Sequence, residues 1–254
     1  MSGRPSLRAP LILLVALALA RWGGFGWAVW LVALLSLAAL REYLSLADLR
    51  PEDRWAMLAC YLAVPLVFRL VQTDWYGFFI VSVPVWVFVL VPVLAAAGGR
   101  ETRGLVFSIG ALDFGLFLLV YCLAHFVYLA RFSPALALLV LLAALLCDAL
   151  FRMVRRAGGG GLLTLVASWP PVFLLAAVLG RPAGLTGFEV LWVTAMLPPL
   201  VLLGDFTLSR VETDLGIDAT QLEPGRGRLI HGLRPLLFAA PIVFHALRYA
   251  TELL

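Results

Sequence analysis

Three aspartates lie inside long apolar runs, Asp113, Asp148 and Asp205. A charge placed in hydrocarbon costs roughly 3 kcal/mol even on the mildest scale, so such a residue normally faces a cavity or a partner. Asp148 and Asp205 each close an apolar run just before an arginine-bearing segment, which would let them share one site at the membrane surface. The plainer alternative is that each neutralises a neighbouring arginine at head-group level. Asp113 is deeper in its run, and His125 lies more than three helical turns further on, so no role is assigned to it.

Arg152, Arg155 and Arg156 are followed, after Ala157, by four consecutive glycines, Gly158 to Gly161. Backbone amides and guanidinium groups together can cradle phosphate, but the Walker spacing and its lysine are missing, so a flexible basic linker is the expectation. Cys60, Cys122 and Cys147 stand in apolar runs without CxxC or Cys/His spacing, which predicts packing residues rather than disulfides or zinc ligands.

The elements that must position these groups are membrane spans. Of 254 residues, 63% are hydrophobic and 13% charged, far from the roughly half-apolar, quarter-charged mixture of soluble domains. The apolar residues arrive in blocks near 10–20, 23–40, 55–73, 76–97, 104–130, 133–151, 161–180, 187–205 and 233–251. These predict an all-α polytopic integral membrane protein of about nine spans, forming one membrane domain over residues 1–254. The blocks lack the alternation of a transmembrane barrel, and a lipid-exposed backbone must bond to itself.

The formal charge of +4 is carried by arginine alone among the fixed cations, and the arginines sit between the blocks. That distribution is topological and does not point to nucleic acid. Arg4, Arg8, Arg41, Arg50, Arg54, Arg100, Arg103, Arg152, Arg155, Arg156, Arg210, Arg226, Arg228 and Arg234 fall on one side. Arg21, Arg131, Arg181 and Arg248 fall on the other, with Arg69 near a span end. The positive-inside rule then predicts a cytoplasmic amino terminus and cytoplasmic polar loops. Arginine without lysine suits a GC-rich bacterial genome and hence the inner, cytoplasmic membrane.

The first block, with Ala16, Ala18 and Ala20, would also suit a secretory signal, but an apolar run resuming at Gly23 fits a helical hairpin better. Pro84, Pro92, Pro170, Pro171, Pro198, Pro199 and Pro241 fall within spans. Each removes a backbone donor, so kinks or breaks are expected unless neighbours bond the freed carbonyls. Trp22, Trp27, Trp30, Trp55, Trp75 and Trp192 stand near block ends as interfacial anchors.

Residues 204–249 read GDFTLSRVETDLGIDATQLEPGRGRLIHGLRPLLFAAPIVFHALRY. Gly204 with Asp205, Ser209, Asp214 with Gly216, Pro224 with Gly225 and Gly227, and the apolar tail resemble the carboxyl-terminal signature of the phosphatidate cytidylyltransferases, the CDP-diacylglycerol synthases. Arg41, Glu42, Tyr43 and Leu44 are similar to that family's early Glu-Tyr motif, and Asp148 to the acidic residue that opens its nucleotide segment. The resemblance implies an all-helical membrane domain with a polar cavity open to the cytoplasm. The implied reaction condenses CTP with phosphatidic acid to give CDP-diacylglycerol and pyrophosphate, and the resemblance is compatible with a homodimer.

Several signature positions depart from the family pattern. Glu212 and Thr213 replace a Lys-Arg pair, Asp218 and Ala219 a Lys-Asp pair, and Arg226 and Arg228 a histidine and a glycine. His231, Gly232, Leu233 and Arg234 stand where the family has Asp-Arg-x-Asp, and FRMVRRAGGGGLLTL stands where its nucleotide segment would continue. Cytidylyl transfer needs a divalent cation, carboxylates to hold it and basic groups for pyrophosphate. The resemblance therefore leaves Asp205, Asp214 and Asp218 as catalytic Mg²⁺ ligands, with Ser209, Arg226, Arg228, Arg234 and Asp148 as substrate-binding residues. Two outcomes stay open: an active transferase, or a non-catalytic homologue that binds an anionic lipid or a partner membrane enzyme through its arginines. A transporter built on repeats has no support, because no internal repeat is visible.

Overall fold

The computed structural model describes residues 6–99, 101–218 and 222–250. Arg4, Arg100 and Ala219 lie outside them. Among the described residues the chain is helical and carries no β-strand. Helix α1 (Arg8–Ala18) runs into a π-turn (Leu19–Gly23), and α2 (Phe25–Leu46) follows. A short 3₁₀ turn (Pro51–Asp53) leads into α3 (Arg54–Thr73). Helices α4 (Tyr76–Val81) and α5 (Phe88–Ala97) are joined through the π-segment Ser82–Val87. Likewise α6 (Leu105–Leu116) and α7 (Leu123–Phe132) are joined through Phe117–Cys122. The chain ends in α8 (Pro134–Arg156), α9 (Gly161–Leu179), α10 (Gly187–Asp214), α11 (Arg228–Leu237) and α12 (Ala239–Ala250).

Among the described residues eight helical segments are long and apolar enough to span a bilayer: 25–46, 51–73, 76–97, 105–132, 134–156, 161–179, 187–214 and 228–249. The protein is an all-helical, multi-pass membrane protein. The first expected span differs from the rest. Its α-helical and π parts are only 11 and 5 residues long and stop at Gly24, whose φ of 110° ends the helix, short of the roughly 20 residues a span needs. Even so, Ala9, Leu13, Ala16 and Leu17 are buried, and α1 packs on α2, α8 and α11.

Several of the arginine-sparse segments meet at one end. Arg131 pairs with Asp74 at 3.3 Å, donates to the Gln72 carbonyl and lies over the Phe25 ring, while Arg248 lies over Tyr76. At the other end Arg50 pairs with Asp53 and donates to the carbonyls of Ala95 and Glu101. The six tryptophans expected at interfaces are all exposed at the bundle surface. All three cysteines are free and buried.

The prolines show how freed carbonyls are satisfied. Pro84 cannot donate to Ile80, and the Tyr121 hydroxyl donates to that carbonyl instead, at 2.9 Å. Pro199 cannot donate to Ala195, and the Trp169 indole N–H reaches that carbonyl at 3.4 Å. Pro170, Pro171, Pro198 and Pro199 lie within helices that continue past them, the outcome allowed where neighbours bond the freed carbonyls. Pro241 leaves Leu237 without its i+4 donor, and there the last span divides into α11 and α12. Ser36 performs the same repair on the carbonyl of Leu119, inside a π-segment, at 2.6 Å.

Helices in lipid associate through close packing and polar contacts rather than through hydrophobic drive. Gly115 lets the Tyr43 ring lie directly against α6: a Cβ there would stand 2.4 Å from Tyr43 Cε1. Gly115→Ala is expected to cost about 1–3 kcal/mol through overpacking. It should lower the thermal midpoint of the purified protein, and Tyr43→Leu in the same chain should recover part of the loss.

Candidate functional site

Helix α11 begins at Gly227, whose φ of 86° turns the chain sharply and which offers no side-chain cap. Its first N–H groups have no intrahelical acceptor and carry the positive end of the helix dipole. Glu42, near the end of α2, fills this role. Its buried carboxylate accepts from the backbone N–H of Arg228 at 2.9 Å, Leu229 at 2.8 Å and Ile230 at 3.4 Å. Ser6 adds a hydrogen bond from its hydroxyl to the Arg228 carbonyl, at 2.8 Å. Ser6 and Glu42 thus meet at the start of α11, so α1 and α2 run in opposite directions.

Anchored in this way, α11 presents His231 and Arg234, three residues apart and so on one face, to α8 and α10. Arg234 is only 7% exposed. Its Nη2 lies 3.0 Å from Asp205 and 3.7 Å from Asp148, and its Nη1 donates to Glu212 at 2.9 Å. His231 Nδ1 lies 3.1 Å from the same Glu212 carboxylate. Arg152 pairs with Asp148 one turn back on α8, and Arg155 pairs with Asp205 across to α10. Three carboxylates are thereby matched by three guanidinium groups at the ends of three helices.

Beside the cluster a cleft of ≈ 180 Å³ opens between α1, α8 and α11. Ser6, Asp148, Arg152 and His231 line its polar part, and Leu7, Pro10, Leu145 and Pro235 its apolar part.

Of the residues proposed from the sequence, Asp148, Asp205 and Arg234 come together, and Asp148 and Asp205 do share one site. Each also pairs with an arginine, Asp148 with Arg152 and Asp205 with Arg155. The others stand apart. Asp214 is nine residues beyond Asp205 on the same helix, which puts it on the opposite face and roughly 13 Å along the axis. Asp214 and Asp218 are exposed. Ser209 donates to its own helix at the Phe206 carbonyl. Arg226 is exposed and 3.8 Å from Glu223, and the contacts described for Arg228 run through its backbone.

Asp205 is therefore set apart from Asp214 and Asp218 in this structure. Among the described residues no three His, Cys, Asp or Glu side chains are arranged to hold a metal. Between Asp148 and Asp205 stands the guanidinium of Arg234. The glycine run is also a plain turn: Gly158, with φ 79°, and Gly159 close the end of α8 by donating to Arg155 and Val154.

Glu42, Glu212, His231, Arg152 and Arg155 were not singled out as site residues from the sequence. Their spacing carried a signal: Asp205 and Glu212 are seven apart, Asp148 precedes Arg152 by four and Arg155 by seven, and each set lies on one helical face. That signal required knowing that α8 and α10 continue as helices past the apolar blocks.

In comparison with known proteins, the chain is similar to the uncharacterized protein YnbB of Escherichia coli (strain K12). The two are 25% identical over 240 residues, covering 85% of this chain and 78% of the relative. No protein-family model matches the chain, and no solved structure matches it.

Removing one partner of a buried, paired charge costs about 3–5 kcal/mol. Arg234→Met is accordingly expected to lower the thermal midpoint sharply by stranding Asp205 and Glu212. Adding Asp205→Asn should regain part of it, as followed by heating and size-exclusion of the solubilised protein.

Proposed function

We propose that this chain is a phosphatidate cytidylyltransferase-like protein of a bacterial inner membrane, with its amino terminus and its arginine-rich end in the cytoplasm. In this reading the cleft beside Asp148, Asp205 and Arg234 receives the head group of phosphatidic acid. The observation that carries it is the meeting of these three residues, drawn from α8, α10 and α11, at positions where the resemblance put substrate-binding and catalytic groups. The opposed arginine-rich and arginine-sparse ends support the orientation, and the apolar walls of the cleft suit a lipid better than a fully soluble substrate.

In the family reaction, a phosphate oxygen of phosphatidic acid attacks the α-phosphorus of CTP and pyrophosphate leaves. The attacking oxygen is already anionic, so no general base is required. What the reaction needs is cationic stabilisation of phosphate charge. Arg152, Arg155 and Arg234 are the cations at hand, and each guanidinium has five donors, enough to hold a carboxylate and a phosphate together. The geometry does not suit a metal between Asp148 and Asp205, and no step is assigned to one.

A second reading, a homologue that binds an anionic lipid without transfer, is favoured by one observation: Arg234 and Arg155 already neutralise the carboxylate best placed for catalysis, Asp205. A product assay on detergent-solubilised protein with phosphatidic acid, labelled CTP and magnesium separates the two. The transferase reading expects CDP-diacylglycerol from the native protein and only background from Arg152→Gln, which removes a cation that lines the cleft. Bound phosphatidic acid with no product from folded native protein would leave the lipid-binding reading in its place.

A further inference from the structure

His231 holds a position that the resemblance treats as a lost carboxylate, yet the structure gives it a built environment. It is 8% exposed, lines the cleft, and has Nδ1 at 3.1 and 3.2 Å from the two oxygens of Glu212. A carboxylate accepts, so Nδ1 carries the hydrogen, which fixes the ring's orientation. Glu212 is fixed in turn by Arg234 at 2.9 Å. The remaining ring nitrogen, Nε2, is the one left to meet a ligand in the cleft, where Arg152 also stands.

We propose that Glu212 and His231 form a phosphate-recognition pair, in which Nε2 and Arg152 together bind a phosphomonoester head group without a metal. The assignment rests on the reading of the cleft as a head-group site and adds its specificity. A phosphomonoester retains a second titratable proton near neutral pH, whereas a phosphodiester does not. One proton then lies between Nε2 and a phosphate oxygen, whether the ring or the phosphate brings it, and no other bond is made or broken. The imidazole sits between two anions, Glu212 behind and phosphate in front. The other charged groups around it are Asp205 on α10, Asp148 and Arg152 on α8, Arg234 on its own helix and Glu42 on α2. From the segment before α1 comes the Ser6 hydroxyl. Hydrogen bonds to charged groups are strong enough that losing this one should weaken binding roughly tenfold or more.

The test measures binding of phosphatidic acid and phosphatidylglycerol with identical acyl chains to the purified full chain in detergent with EDTA. Inorganic phosphate and CTP serve as competitors. Native protein should hold phosphatidic acid about tenfold more tightly than phosphatidylglycerol, and His231→Gln, checked for an unchanged thermal midpoint, should bind both at the weaker level. Retained preference in His231→Gln overturns the role of His231 and leaves the head-group reading intact. No preference in the native protein overturns both. Displacement of the lipid by inorganic phosphate or CTP at similar concentration supports the pair as a phosphate site and assigns it to a soluble phosphate. Should His231→Gln fail to fold, Leu7→Trp fills the cleft from the α1 side without touching the ion pairs. Phosphatidic acid binding unchanged by that filling overturns the proposal, and a loss of about tenfold supports it.

Discussion

The carboxylate of Glu42 at the amino terminus of α11 is the contact on which the arginine-rich end of this bundle depends. A helix that starts within a protein needs acceptors for its first N–H groups, and a carboxylate there also meets the positive end of the dipole. Gly227 supplies the turn but no cap, so the acceptor comes from α2, almost two hundred residues earlier in the chain. This fixes both the depth and the rotation of α11, and with them the positions of His231 and Arg234. A small error in either would separate Arg234 from three carboxylates on two other helices.

The ionic cluster that results is held by opposed charges at close range, although Asp205 Oδ1 and Arg234 Nε are buried without a hydrogen-bond partner. Asp148, Asp205 and Glu212 are each met by arginine, and Arg234 touches all three. Charges taken out of water impose a large desolvation cost that only close, hydrogen-bonded partners offset. The protein carries such a cluster at one end of its bundle, beside a cleft with polar and apolar walls, which the proposed reading assigns to a lipid head group. Arginine in place of metal changes the chemistry on offer: guanidinium binds phosphate oxygens directly and does not depend on divalent cation.

In the membrane-embedded remainder, several carbonyls freed from a helix find a donor on a neighbouring helix. Tyr121 serves Ile80 opposite Pro84, Trp169 serves Ala195 opposite Pro199, and Ser36 serves Leu119 in a π-segment. These repairs also join helices to one another, so the prolines that loosen single helices help to fix their packing.

Composition and block length were enough to determine that this is a polytopic helical membrane protein, because hydrocarbon admits few backbone solutions and the lengths of apolar runs are read directly. The arginine pattern gave two unlike ends, and the positions of Asp148 and Asp205 at the ends of runs allowed a shared site without deciding it. Tertiary structure decided the rest. It showed that the first block, ended by Gly24, is shorter than a span. It placed Asp214 on the far side of α10 from Asp205, a matter of helical phase beyond the apolar block. It revealed Glu42, Glu212 and His231 as parts of one constellation, since a residue that departs from a family pattern reads as a loss until its spatial partner is seen. Local sequence fixes which residues are apolar and where helices run; which carboxylate faces which arginine depends on the rotation of three helices, and that is set by contacts between residues far apart in the chain.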